Sequence, residues 1–415
     1  LPLYSVSGLW RISQEPFMAS AKWIDNLVVR ASYGLQGNID KNTSPFLLGN
    51  YRIENILPGG SEDMIDVSGA PNKKLRWEKT HSVNAGFDFA VLNQAINLSV
   101  DYYYRKGVDL IGTQMLPLET GFEMLTVNWA SMRNQGVEVA LSTRNVHTKN
   151  FMWTTNFNFA YNNNKVLKEA LREDALEPGR EGYPAGALFA LKTAGLDEEG
   201  YPMFQDKDGK AVSAMEFFKL QEWGFGATDL TARERRELYT YVGTADCPYT
   251  GGFNNTFTYK AFELGVNFSF DFGGKVRSQP TYSIVDFDKG RNTNRDILNR
   301  WTPENTETIF PVLLSQNERL DEYMWYSNQN EIYRNLDIWI RDLNYERLQN
   351  IRLGYTLPTN FSRTLGMTSA TVAIEGRNLL VFGSSYKNYL DPETMSNAYA
   401  TPAPKSVTLS LNLIF

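Results

Sequence analysis

The chain is 415 residues long, with a formal net charge of −6 and a pI near 5.3. An acidic balance of this size argues against a nucleic-acid partner. A single cysteine, Cys247, excludes an intrachain disulfide framework, and with only two histidines, His81 and His147, little remains for a Cys/His metal centre.

No stretch reaches the roughly 18 consecutive apolar residues that a membrane-crossing helix needs. Mean hydropathy is −0.38. That value is compatible with membrane-crossing strands, whose lipid-facing and lumen-facing residues alternate and average to mild polarity.

In chain order, the sequence opens directly into a strand-like run at 3–13, without the basic start and apolar core of a leader. This predicts that it is the later part of a longer precursor. A second run covers 27–37 and a third 75–91. At 95–106 the alternation is strict: Ile96, Leu98, Val100, Tyr102 and Tyr104 are set against Asn97, Ser99, Asp101, Tyr103 and Arg105. Strands follow at 132–145 and 150–165. In the latter, Phe151, Trp153, Thr155, Phe157, Phe159 and Tyr161 alternate with Met152, Thr154, Asn156, Asn158, Ala160 and Asn162. After 249–260, the run 262–273 sets Phe262, Leu264, Val266, Phe268, Phe270 and Phe272 against Glu263, Gly265, Asn267, Ser269 and Asp271. The last three runs are 346–357, 370–380 and 405–415.

A β-sandwich also alternates, but its strands average about 5–6 residues. A strand tilted near 45° and rising about 3.3 Å per residue needs about 11 residues to cross a ~25 Å apolar band. The runs here are of that longer kind. Their polar faces carry small polar residues suited to a wet lumen, and tyrosines collect near their ends as in interfacial girdles. The fold class predicted is all-β, a transmembrane antiparallel β-barrel. Connections alternate between short (92–95, 145–150, 259–262, 358–369) and long (38–74, 107–131, 166–248, 274–346, 381–404). Barrels of this kind keep short turns periplasmic and long loops outside. About eleven strands entering from outside are an incomplete bacterial barrel and half of a 22-stranded, plugged one.

Several stretches together resemble the C-terminal portion of the SusC/RagA family of TonB-dependent outer-membrane transporters of Bacteroidota. They are 29–38 (VRASYGLQGN), 75–88 (LRWEKTHSVNAGFD), 99–105 (SVDYYYR), 132–141 (MRNQGVEVAL), 249–259 (YTGGFNNTFTY), 348–358 (LQNIRLGYTLP), 376–380 (GRNLL) and 411–415 (LNLIF). They occur in family order and span nearly all of 1–415. The resemblance implies a 22-stranded barrel with a plug and TonB box upstream of residue 1. It also implies TonB and a SusD-like surface lipoprotein lid as partners, the outer membrane as location, and oligosaccharides or peptides as cargo.

Candidate site residues follow from this frame. The acidic residues Glu78, Asp88, Asp101, Glu138, Glu263 and Asp271 fall on polar phases and are expected to line the lumen or hold a plug. The long 274–346 loop carries Trp301, Tyr323, Trp325, Tyr326, Tyr333 and Trp339. Such aromatics build a small loop core, contact a partner, or stack on substrate. Phe415, ending an alternating strand, reads as the barrel-assembly signal and as a membrane-facing aromatic. Asp206, Asp208 and Gly209 resemble the start of a calcium loop, but the bidentate Glu is not at its spacing, which favours a tight hairpin turn. The 233–237 run (RERRE) reads as a solvated helical face. No Ser/His/Asp arrangement, phosphate-cradling glycine loop or zinc spacing occurs, so no enzyme and no cofactor are expected. A passive channel, an adhesin barrel and a barrel with hydrolase activity are the competing readings.

Overall fold

The computed structural model describes residues 3–39, 44–57, 60–67, 69–122, 124–224, 227–278, 295–313, 334–364, 366–383, 391–394 and 400–415. They fall into two compact units.

The first unit comprises residues 1–172, 179–185 and 251–260. Its strands are β1 (Tyr4–Arg11), β2 (Ile24–Asn38), β3 (Gly49–Leu57), β4 (Gly60–Val67), β5 (Glu78–Val91), β6 (Ile96–Met115), β7 (Met124–His147), β8 (Phe151–Lys168) and most of β14 (Tyr249–Tyr259). Among the described residues β3 and β4 pair only with each other, inside the long connection after β2. The rest lie in the order β1-β2-β5-β6-β7-β8-β14; the pairs from β1 to β8 are antiparallel, and β14 is hydrogen-bonded to β8.

Register gives this unit two chemically distinct faces. Val29, Phe87, Val100, Val139 and Phe159 lie in one row across five strands, and Leu27, Phe89, Leu98, Leu141 and Phe157 in the row two residues away. The opposite face carries Arg30, Gly86, Asp101, Glu138 and Ala160 in one row and Ser32, Asn84, Tyr103, Gly136 and Asn162 in another. A one-residue slip in any pairing would exchange these faces, so the apolar pattern fixes the register.

The second unit comprises residues 173–178, 186–250 and 261–415. The 186–250 part folds into a small module: β9 (Ala187–Leu191), β10 (Thr193–Leu196), β11 (Pro202–Gln205), β12 (Ala211–Val212), α1 (Ala214–Phe217), α2 (Ala232–Glu237) and β13 (Tyr239–Thr244). β9 pairs with β13, and β11 pairs with β10 and β12. Four long strands follow in consecutive antiparallel order: β15 (Phe262–Arg277), β16 (Ile340–Thr356), β17 (Ser369–Phe382) and β18 (Ser406–Ile414). A short helix, α3 (Thr359–Thr364), fills the turn between β16 and β17. Here Leu264, Leu353, Ile374 and Leu409 form an apolar row, and Gly265, Arg352, Glu375 and Thr408 the polar row beside it.

The seven long strands of the first unit and the four of the second are the predicted runs, but several extend further. β6 and β7 have 20 and 24 residues, against about 11 needed to cross the apolar band. The predicted 107–131 loop therefore shrinks to the residues between Met115 and Met124. The pattern broke because the β6–β7 register shifts between Gly107 and Leu110, where Asp109 takes φ +56°. An inserted residue reverses the phase of alternation while the ladder continues.

Candidate functional site

Within the first unit the polar face converges on a charged cluster. Arg30 Nη1 donates to Asp88 Oδ2 at 2.8 Å, and Arg30 Nη2 to Asp101 Oδ2 at 2.5 Å and to Ser99 Oγ at 3.0 Å. The Ser99 hydroxyl in turn donates to Asp88 Oδ1 at 2.8 Å. Arg30 lies on β2 and Asp101 on β6, with β5 between them. The pair meets across Gly86, where a Cβ would lie 2.2 Å from Asp101 Oδ1. A side chain at 86 would therefore occupy the path of the bridge. Glu138 is opposite Asp101 in register. Arg30, Asn84, Gly86 and Asp101 help line a cavity of about 350 Å³.

Tyr103 extends the same polar surface, its hydroxyl donating to Asn162 Oδ1 at 2.8 Å. Its ring lies over Gly136, where a Cβ would come within 2.7 Å of the Tyr103 hydroxyl oxygen. At the far end of β5, Glu78 accepts from Asn38 Nδ2 at 2.8 Å and from the Ile111 N–H at 2.9 Å. These groups are partly solvated, with 38%, 33% and 31% side-chain exposure for Arg30, Asp88 and Asp101. Each pair is accordingly worth no more than about 1 kcal/mol. Their effect is to order a polar wall.

In the second unit Glu263 accepts from Arg352 Nη1 at 2.9 Å, and Asp271 is the cross-strand register partner of Tyr345. Gln349 Nε2 donates to Ser269 Oγ at 2.6 Å. Among the described residues of this unit the most buried ion pair is Arg347 with Asp391, whose side chains are 2% and 5% exposed; Glu393 accepts from Arg347 Nε at 2.8 Å. Removing one member of such a buried pair costs about 3–5 kcal/mol. Asp391 and Glu393 are thereby tied to β16.

The loop module has its own core. Phe204 is fully buried, stacked on Phe217 at 4.8 Å and edge-on to Phe218 at 5.1 Å, with Leu191, Leu336 and Trp339 in the same cluster. The module is held to the long strands by Arg277, which donates to the Phe189 and Arg334 carbonyls, and by Thr193 Oγ1, which donates to Asp337 Oδ1 at 2.5 Å. Asp206 and Gly209 form the β11–β12 hairpin turn: the Asp206 carboxylate accepts from the Asp208 and Lys210 N–H groups, and Gly209 has φ +81°. The tight-turn expectation matches this geometry.

The sequence-predicted loop aromatics separate here. Trp339 is 1% exposed and belongs to the module core, so it has no free face for a partner or substrate. Trp301 is half-buried and packs over Gly200, where a Cβ would lie 2.4 Å from the indole. Tyr323, Trp325, Tyr326 and Tyr333 lie outside the described residues. Phe415 is 82% exposed and continues the outward phase of Leu409, Leu411 and Leu413. The 233–237 run is helical as expected, but Arg236 departs from a solvated role. Its Nη1 donates to the Glu173 and Ala175 carbonyls, at 2.8 and 2.6 Å.

Arg30, Tyr103 and Arg347 were not among the sequence candidates. Arg30 and Tyr103 were detectable in principle, because each sits on the polar phase of its strand. Arg347 was not, since its partners come from a distant connection. Chemically, the polar surfaces offer paired charges, amides and hydroxyls, an arrangement that holds polar solutes. Among the described residues it places no activated nucleophile beside a base.

Residues 5–187 match the family model described as TonB dependent receptor-like, beta-barrel. "TonB-dependent receptor P3" of Formosa agariphila is 26% identical over 98% of this chain and 41% of its own length. "TonB-dependent receptor SusC" of Bacteroides thetaiotaomicron is 25% identical over 97% of this chain and 39% of its own length. Among solved structures, that of the RagAB peptide transporter superposes with a TM-score of 0.75 at 24% identity, covering 99% of this chain and 43% of that one. The chain thus spans about two fifths of the length of these relatives. The relatives are receptors and transporters.

Proposed function

We propose that this chain, which belongs to the TonB-dependent receptor β-barrel family of bacterial outer membranes, supplies barrel wall and outer loops to an importer energised through TonB. The observation that carries this reading is the pairing of long strands with two opposed faces. In each unit one face is apolar for lipid; the other bears the Arg30–Asp88–Asp101 cluster in the first unit and the Glu263–Arg352 pair in the second. A hydrogen-bonding wall of mixed charge suits large polar cargo, which we take to be oligosaccharides or peptides. Asp88, Asp101, Glu138, Glu263 and Asp271 would line the lumen or contact a plug.

A SusD-like lipoprotein is the proposed external partner, seated over the folded loops. Trp301 and the aromatics at 323, 325, 326 and 333 are proposed contacts to that partner or to cargo. Trp339 would act by holding the module together. Phe415 is proposed as the assembly signal. In the full-length receptor, deletion of the TonB-coupling segment should reduce uptake of labelled oligosaccharides or peptides to background while the barrel stays in the outer membrane. Undiminished uptake would instead establish the passive-channel reading.

A further inference from the structure

We infer that the outward face of the first unit carries a binding site for the phosphate group of an outer-leaflet lipid, built from Lys106, Arg133 and Lys165 beside His81. These residues occupy one register row: Leu35, His81, Lys106, Arg133 and Lys165 are successive cross-strand partners on β2, β5, β6, β7 and β8. Their phase is that of Val100, Val139 and Phe159, so they share the lipid-facing side.

Their height follows from the strand geometry. Ile96, in a row with Val91, Thr143 and Thr155, marks the short-turn end of that face. At ~3.3 Å per residue, Lys106 lies about 33 Å further along β6, or about 23 Å in height for a strand tilted near 45°. An apolar band is ~25 Å tall. The row therefore stands at the headgroup level, at the end carrying the long connections, which is the external one in such barrels. Directly beneath it come Tyr33 and Tyr104, then Tyr102 and Tyr161, an interfacial aromatic girdle.

The charges are unbalanced. Lys106, Arg133 and Lys165 sit directly opposite one another on adjacent strands, an arrangement that destabilises a sheet unless something neutralises it. Among the described residues none of the three forms an ion pair. No carboxylate shares this face between the Leu27–Phe157 row and the basic row. The nearest carboxylate above it on β6, Asp109, already holds Arg76 at 2.5 Å and Lys79 at 2.8 Å. Arg133 Nε is buried and makes no hydrogen bond, whereas buried donors are normally satisfied. His81 is oriented by the Tyr33 hydroxyl, 2.9 Å from its Nδ1. Just above, Lys168 stacks over the exposed Trp129 at 3.5 Å, adding a fourth cation at the rim. An anion presented from the lipid side, with its acyl chains along the apolar rows below, satisfies all of these groups. Arginine and lysine at an interface are suited to phosphate.

Native mass spectrometry of the full-length receptor, purified in mild detergent and supplied with a phosphorylated lipopolysaccharide, tests the site. We expect wild type to retain the phosphorylated lipid at least tenfold more than the same lipid after phosphatase treatment. The Lys106→Gln/Arg133→Gln/Lys165→Gln variant should lose that preference. A Lys192→Gln/Lys207→Gln/Lys210→Gln control, equal in charge change but confined to the loop module, should keep it. Equal retention of the two lipids by wild type would overturn the proposal, and this arm needs no variant to fold. Undiminished preference in the triple variant, with its barrel shown intact by heat-modifiable mobility, would overturn it equally.

Discussion

At the scale of single residues, the polar wall depends on where side chains are missing as much as on where they are present. Arg30 and Asp101 are held apart by a whole strand, and they pair only because Gly86 leaves the intervening surface open. Replacing Gly86 with valine places carbon atoms where Asp101 Oδ1 and the Val100 carbonyl oxygen already stand. Overpacking of this kind costs about 1–3 kcal/mol. The expected result is a lower temperature for conversion of the heat-modifiable folded form, with Gly112→Ala, which meets nothing within 4 Å, leaving it unchanged. An unshifted Gly86→Val transition would mean that the bridge is not part of the wall. The acidic half of this cluster was legible in the sequence from phase alone. The glycine was not, because the need for an absent side chain arises only when two neighbouring strands are known.

Elements show the same division between local and distant information. The long strands were legible because alternation is written into each one separately. Their true ends were not, because bulges such as the one at Asp109 reverse the phase while pairing persists. The loop module was the least legible part: its core joins Phe204 and Phe217 to Leu336 and Trp339, residues far apart in sequence with no common period. One local feature inside it makes a pH prediction. α2 begins with a capping box, in which Thr231 Oγ1 accepts from the Glu234 N–H and the Glu234 carboxylate accepts from the Thr231 N–H. The Thr231 N–H, then its hydroxyl and Lys219, hold the Glu234 carboxyl down at about 2, against an ordinary 4.5. A lowered folded-state value means that the stabilisation is fully present above about pH 4.5 and is lost as pH falls towards 2. Hydrogen–deuterium exchange of the 229–239 segment, corrected for the intrinsic pH dependence of exchange, should show protection falling across that window. Glu234→Gln should flatten the profile, and an identical profile in the variant would remove the box from the account.

For the whole molecule, fold class and location rest on one assignment: alternate residues of the long strands face lipid and a polar interior. Fold class, outer-membrane location, proposed import and the lipid-phosphate site each fail without it. The assignment was readable from sequence because a bilayer imposes it on every crossing strand separately, without reference to partners. What sequence could not supply was the set of cross-strand rows, which only register defines. The most direct measurement places a bimane fluorophore on single cysteines of the full-length receptor, in a Cys247→Ser background and in bilayers containing brominated lipid. Burial pushes the Cys247 thiol up; it is the one cysteine of these 415 residues, and any cysteine outside them is replaced likewise so that one reactive position remains at a time. Bimane at positions 139 and 409, replacing Val139 and Leu409, should be strongly quenched. Bimane at positions 84 and 410, replacing Asn84 and Ser410, should not. Equal quenching of the two sets, or stronger quenching at 84 and 410, would contradict the assignment.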